Sequence, residues 1–271
     1  MNAPKPNPRR RSEETSLRDI SPALSDWKYE PGTLNVRKIV GLDGKPKVQM
    51  RLELGVLQME MQGRPDGAKP FGRESLLEHF EHQLAEYRSA NGSSLGFHLT
   101  PKDCLLLREE ASMYYHRYLS LFVLGEFDQV VRDTERNLHL LDFCRRYAIE
   151  EHDRLVLEQY RPYIVMMHAR AEASIHYHAQ RYQAALEIVQ DGLRKIRRLF
   201  RQHGQPEAYD HANEVKVLRR FKADIRKRLP VNPVTLLKKR LDKAVRAERY
   251  EEAARLRDEI QRLAPSDDSL A

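Results

Sequence analysis

Cysteine is scarce: only Cys104 and Cys144 occur in 271 residues, with no CxxC pair. That excludes a disulfide framework and a cysteine-rich zinc module, and the two read as small buried hydrophobes. Glycine (12) and proline (14) are too few for a collagenous or low-complexity chain. No uncharged apolar run approaches the roughly 20 residues of a membrane span. The N-terminus MNAPKPNPRRRSEE lacks the apolar stretch of a signal peptide. The expectation is a cytoplasmic protein with no membrane contact. What remains is 41% apolar and 32% charged residues, the profile of a soluble, helix-rich protein with one large domain or two modest ones.

The net charge of +7 is unevenly spread. Between Arg194 and Arg246 lie 17 of the 47 Lys and Arg but only 5 of the 40 Asp and Glu. Arg197, Arg198, Arg219, Arg220, Arg226, Lys227, Arg228, Lys238, Lys239 and Arg240 are the candidate phosphate-binding residues of this stretch. A solvated helix face is the competing reading, because only Phe200, Tyr209 and Phe221 interleave as stacking aromatics.

Residues 1–25 carry prolines, Arg9 to Arg11 and no apolar period, which reads as a disordered basic tail. In 26–71, Asp43-Gly44 between apolar runs signals a β-hairpin, with a helix as the competing reading because Met50, Leu54, Leu57 and Met61 also fit a heptad-like stripe. Val48, Met50, Leu52 and Leu54 alternate, then Leu57, Met59 and Met61 alternate in the opposite phase, so a bulge or bend is expected near Gly55. Gly63-Arg64-Pro65-Asp66-Gly67 is a turn. After Gly72 the pattern is helical. Leu76, Leu77, Phe80, Leu84 and Tyr87 share one face, and Gly92 ends that helix. Thr100-Pro101 caps the next, Pro162 should divide the pattern from Glu150 to Gln180, and Gln205-Pro206 opens a further helix. Pro230 to Pro233 breaks the chain, and Asn232-Pro233 caps the first of two last helices.

A short block recurs three times: GEFDQV at 125–130, QRYQAA at 180–185 and ERYEEA at 248–253. Each puts an aromatic three positions before a small or β-branched apolar residue, so that the ring closes a helix-helix corner and the small residue lets the helices approach. The first two blocks resemble tetratricopeptide-type repeats at this corner. Their aromatics stand 55 positions apart, however, not the roughly 34 of a regular array. A partner-binding groove and plain core packing both fit this region.

The third block extends into LLKKRLDKAVRAERYEEAARLRDEIQRL, 236–263. Leu237, Leu241, Ala244 and Val245 form a face of one helix, and Ala253, Leu256, Ile260 and Leu263 a face of the next. A hairpin this short is marginal alone, so its apolar surface is expected to dock on something. With Glu248, Tyr250, Glu251, Ala254, Arg257 and Asp258, these positions make the segment resemble the UVR motif, the helical hairpin named for the bacterial UvrB and UvrC excision-repair proteins. The resemblance implies a bacterial protein whose hairpin associates with another copy of itself or with repair or proteolysis machinery. On that reading Leu237, Leu241, Ala244, Val245, Tyr250, Ala253, Ala254, Leu256, Arg257, Asp258, Ile260 and Leu263 contact the partner. The phosphate loop of a UvrB-like helicase is missing.

Enzymatic signatures are lacking. Glu78/His82, Glu135/His139 and Glu172/His176 are four apart, not at the Glu-x-x-His spacing of di-iron bundles, and read as polar helix pairs. No GxSxG or HExxH occurs. The expectation is a mainly α, non-enzymatic adaptor without a cofactor or metal. It has a β-hairpin-containing module at 26–71, a repeat-like helical body at 72–230, a UVR-type hairpin at 233–263 and a disordered tail at 264–271. Its partner is a protein or a second copy, and nucleic acid is the alternative.

Overall fold

The computed structural model describes residues 20–229 and 233–263. Most of both expected tails, and the Asn232 cap, lie outside the described residues. The chain divides into two compact units between Ala223 and Asp224.

The first unit begins with a helical turn, α1 (Ser21–Ser25), followed by an antiparallel sheet of β1 (Asn35–Val40), β2 (Pro46–Arg51) and β3 (Val56–Glu60) in that order. The Asp43-Gly44 turn closes the first hairpin, with the Gly41 N–H donating to Lys45 O at 2.8 Å. The phase flip near Gly55 is not a bulge. The chain reverses there, the Leu52 N–H donates to Gly55 O, and Val48 and Met50 face Met59 and Leu57 across the second hairpin. Alternation restarts because a new strand begins, and Leu52 and Leu54 are left exposed. Central β2 is covered on both sides. Val48 and Met50 are buried, Lys47 pairs with Asp43 and Glu60, and Gln49 accepts from Arg37 and donates to Gln58. The Glu60 and Asp43 carboxylates hold the Lys47 ammonium above its ordinary range.

Helices follow: α2 (Leu76–Asn91), α3 (Pro101–Val123), α4 (Phe127–Tyr147), the short α5 (Glu151–Leu155), α6 (Arg161–His178), α7 (Tyr182–Gln202) and α8 (Asn213–Arg228). Thr100 caps α3 as expected, and Asp103 makes the cap reciprocal. Pro162 divides the 150–180 pattern by sitting in the first turn of α6, where its missing N–H costs nothing. Gln205-Pro206 opens only a 3-10 turn, Pro206–His211, and α8 starts at Asn213.

The apolar core joins Leu76, Leu77, Phe80 and Leu84 of α2 to Leu107 of α3, Leu140 and Phe143 of α4, and Ile164 of α6. Cys104 and Cys144 are free and buried there. The hydrogen bond with Cys104 and burial push the Cys144 thiol up. Where α6 crosses α7, Gly192 permits a close approach: a Cβ would stand 2.7 Å from that of Ala169. In the second unit, α9 (Pro233–Arg246) and α10 (Tyr250–Leu263) form the expected hairpin.

Candidate functional site

In the C-terminal hairpin, apolar residues spaced by three and four put Leu237, Leu241 and Ala244 on one face of α9 and Ala253, Leu256 and Ile260 on one face of α10. These six meet in one cluster. Leu237, Ala244, Ala253 and Leu256 are buried, while Leu241 and Ile260 are partly so. The expectation that both apolar faces contact a partner is therefore narrowed, because the inner face is satisfied within the chain. What stays bare is different. Tyr250 is 68% exposed, Leu263 51%, Val245 49% and Leu236 45%. Val245 and Tyr250 flank the corner, whereas Leu236 and Leu263 lie toward the open end. Ala254, Arg257 and Asp258 are also exposed. Arg257 approaches Asp258 at 3.4 Å, a surface pair of little energetic consequence.

All three recurring corners share one backbone device that sequence reading missed. At the hairpin corner the Glu248 N–H donates to Val245 O and the Arg249 N–H to Ala244 O, at 3.0 and 2.9 Å. Gly125 and Glu126 make the same bonds to Phe122 and Leu121, and Gln180 and Arg181 make them to Tyr177 and His176. Each is a helix stop in which the left-handed residue (Gly125 φ 78°, Gln180 φ 59°, Glu248 φ 57°) satisfies otherwise orphaned carbonyls. Glycine at the first corner was the only visible signal. The small residues Val130, Ala185 and Ala253 are buried as expected.

The corner aromatics differ. Phe127 packs on Phe122 and stacks on His178, and Tyr182 meets Tyr177 at 5.4 Å. Tyr250, at the same position of the third corner, has no ring partner among the described residues.

The basic stretch is divided between the two units. Within the first unit, Arg197 and Arg219 both lie over the ring of Tyr209, at 4.7 and 5.5 Å, and Arg219 pairs with Asp210. Arg194, Arg197, Arg219 and Lys222 border a cavity of about 340 Å³ on Tyr209. Tyr209 is itself buried and offers no free face for stacking a base. Arg198 and Arg220 are exposed. In the second unit Lys227 pairs with Asp224, and Arg226, Lys238 and Arg240 are exposed. The side chain of Lys239 lies outside the described residues.

The histidine pairs form with other partners. His82 meets Glu86, His139 reaches Glu81 on α2, and Glu172 meets His168. Among the described residues no group of three His, Cys, Asp or Glu side chains is placed to hold a metal, and no helix is long and apolar enough to cross a membrane.

Sequence reading also missed a buried ionic network that anchors the GRPDG turn. Arg117 Nε and Nη2 donate to the two oxygens of Asp133 at 2.7 and 2.8 Å, while its Nη1 donates to the carbonyls of Glu60 and Gly63. Glu110 accepts from the Leu76 and Leu77 N–H groups at the start of α2 and pairs with Arg64 and Arg136. Arg117, Asp133 and Glu110 are buried. Burial pulls the Arg136 guanidinium down from its ordinary value, while Glu110 pulls it back up. The turn expected at 63–67 thus fastens the sheet to the helices, because Arg64 and the Gly63 carbonyl tie the end of β3 to α2, α3 and α4.

Set against known protein families, residues 232–264 match the UvrB/uvrC motif. The match spans 33 of the 271 residues, so it assigns a motif and not the whole chain. No curated protein and no solved structure matches the chain.

Proposed function

We propose that this chain is a non-enzymatic interaction protein whose C-terminal hairpin docks on a second UVR-type hairpin, either that of another copy or that of a protein of excision repair or regulated proteolysis. A protein-interaction role is consistent with the motif at 232–264. The observation that carries the docking reading is the bare corner. Phe127 and Tyr182 are covered by ring partners, whereas Tyr250 stands 68% exposed beside Val245, itself 49% exposed. The exposed ring of Tyr250 forgoes apolar burial that an interface recovers.

The test uses the full chain and a Val245→Asp/Tyr250→Ala variant, both substitutions lying outside the hairpin's inner cluster. Sedimentation velocity across concentrations reads self-association, and affinity capture is scored only as the difference between the two proteins. Association lost in the variant with its helical signal retained is the expected result. Equal association and equal capture by both proteins would remove the reading.

The cavity bordered by Arg194, Arg197, Arg219 and Lys222 favours a second reading, binding to a nucleic-acid backbone. It predicts steep salt dependence and weakening by Arg197→Ala. Absence of DNA or RNA binding at low salt counts against it.

A further inference from the structure

A cavity of about 640 Å³ in the first unit has an unusual wall. Four tyrosines border it: Tyr115 and Tyr118 of α3, Tyr160 just before α6, and Tyr163 of α6. Three of the rings form a connected set, Tyr115 to Tyr118 at 5.5 Å and Tyr115 to Tyr163 at 6.1 Å. Aliphatic side chains of α4, α6 and the segment between α5 and α6 complete the apolar part of the lining.

Among the described residues, only two charged side chains border the cavity, Arg108 and Glu214. Arg108 is neutralised by Asp153 at 2.5 Å. Glu214 is half-buried, and no cation pairs with it among the described residues. It stands in the first turn of α8. Burial pushes the Tyr163 hydroxyl up to about 12 and raises that of Tyr118 as well, so both are neutral at pH 7. Of the charged side chains that border the cavity, Glu214 is therefore the one without an ion-pair partner among the described residues; Arg170, which also acts on Tyr163, is not part of the lining.

We propose that this cavity binds an organic monocation, an alkylammonium or guanidinium group on an apolar stem. Aromatic rings attract such a cation through their quadrupoles, increasingly so when it is desolvated. Glu214 supplies the counter-charge, and the aliphatic wall takes the stem. An anion gains nothing here, because Arg108 is already paired, and a neutral molecule forgoes both the carboxylate and the quadrupoles. The proposal is independent of the hairpin reading, since every residue it uses lies in the first unit.

The experiment is calorimetric titration of the full chain with choline, with its neutral carbon isostere 3,3-dimethylbutan-1-ol, with n-butylammonium and with butyrate. The expected result is saturable binding of the cations at least about ten-fold tighter than the isostere, with no binding of butyrate. Glu214→Gln, at a half-buried position, should weaken choline about ten-fold and leave the isostere unchanged, and Tyr160→Ala should weaken choline several-fold. A capped Gly-Lys-Gly peptide distinguishes the source: tighter binding than n-butylammonium identifies a basic side chain, weaker binding a free amine. Equal affinity for choline and its isostere, absence of saturable binding by every cation, or a Glu214→Gln variant that binds choline as the natural protein does would overturn the proposal. The isostere comparison needs no variant and so stands whatever the substitutions do to folding.

Discussion

The helical body and the C-terminal hairpin hold themselves together by different means. In the body, ion pairs with almost no solvent exposure link distant elements: Arg117 to Asp133, and Glu110 to Arg64 and Arg136. In the hairpin the cohesion is one apolar cluster of four buried and two half-buried side chains, and its ion pairs, Arg246 with Asp242 and Arg249 with Glu252, lie at the surface. The difference teaches where each region is vulnerable. A buried charge left alone is far costlier than a lost surface pair, so the body is intolerant of single charge deletions. The hairpin is sensitive only to the few apolar contacts along its seam.

The sharpest break of this comparison is Arg117→Ala. It leaves the buried Asp133 carboxylate with only the part-exposed Arg132 as counter-ion, takes the Arg117 donor from the Glu60 carbonyl, and leaves the Gly63 carbonyl only the long bond from Tyr114 at 3.4 Å. Urea unfolding should show a loss of about 3–5 kcal/mol. Replacing both members, Arg117→Met with Asp133→Leu, should recover much of that loss, and a double variant no better than the single one would refute the account. Next comes Leu256→Ala, expected to cost the hairpin about 2–4 kcal/mol by opening a cavity in its small cluster. Hydrogen exchange should then rise over 234–263 while protection of α3 and α4 stays unchanged. Gly192→Ala should cost the body about 1–3 kcal/mol, because the added methyl meets Ala169 at 2.7 Å.

A pH series sharpens the contrast further. Burial raises the folded-state values of Tyr118 and Tyr163 above the ordinary tyrosine value near 10, so their contribution is complete below that pH and is lost as pH rises through the folded values. The body should therefore lose stability between pH 10 and 12, read as a falling urea midpoint, and Tyr118→Phe should flatten the decline. The smallest effect tests the shared corners. Glu248→Gly relieves a left-handed conformation costing a side chain about 1 kcal/mol and should stabilise the hairpin by up to that amount, whereas Gly125→Ala should destabilise the body similarly.

Much of the hairpin is legible in its residue spacing. The intervals between Leu237, Leu241 and Ala244 on one side and Ala253, Leu256 and Ile260 on the other identify two helices and the seam between them. Which apolar positions stay bare is not legible, since Val245 is as apolar as the leucines and alanines inside and only helix rotation decides its side. Alternation over 48–61 reveals strands but disguises the reversal at Gly55, because a two-face flip looks the same for a bulge and for a hairpin. Of the expected i,i+4 Glu–His pairs, His82 and Glu172 took the alternative partner one turn away on their own helices, Glu86 and His168, whereas His139 found Glu81 on a neighbouring helix, which no spacing rule within one helix can anticipate. The left-handed Gln180 and Glu248 were hidden for the opposite reason: their side chains disfavour the conformation, and the packed helices on either side impose it.

Local order was therefore written in the chain itself. Helix periods, the Thr100 cap, the Asp43-Gly44 turn and the three aromatic corners each depend on residues a few positions apart, within reach of propensity and pattern alone. Tertiary structure alone decided the pairing of charges and the siting of hollows. Arg117 meets Asp133 across 16 positions and the Glu60 carbonyl across 57, and the tyrosine-lined cavity draws on α3, α4, α6 and α8 at once. Such meetings depend on how whole helices pack, and the free energy of a buried charge or an empty volume is set by everything that surrounds it.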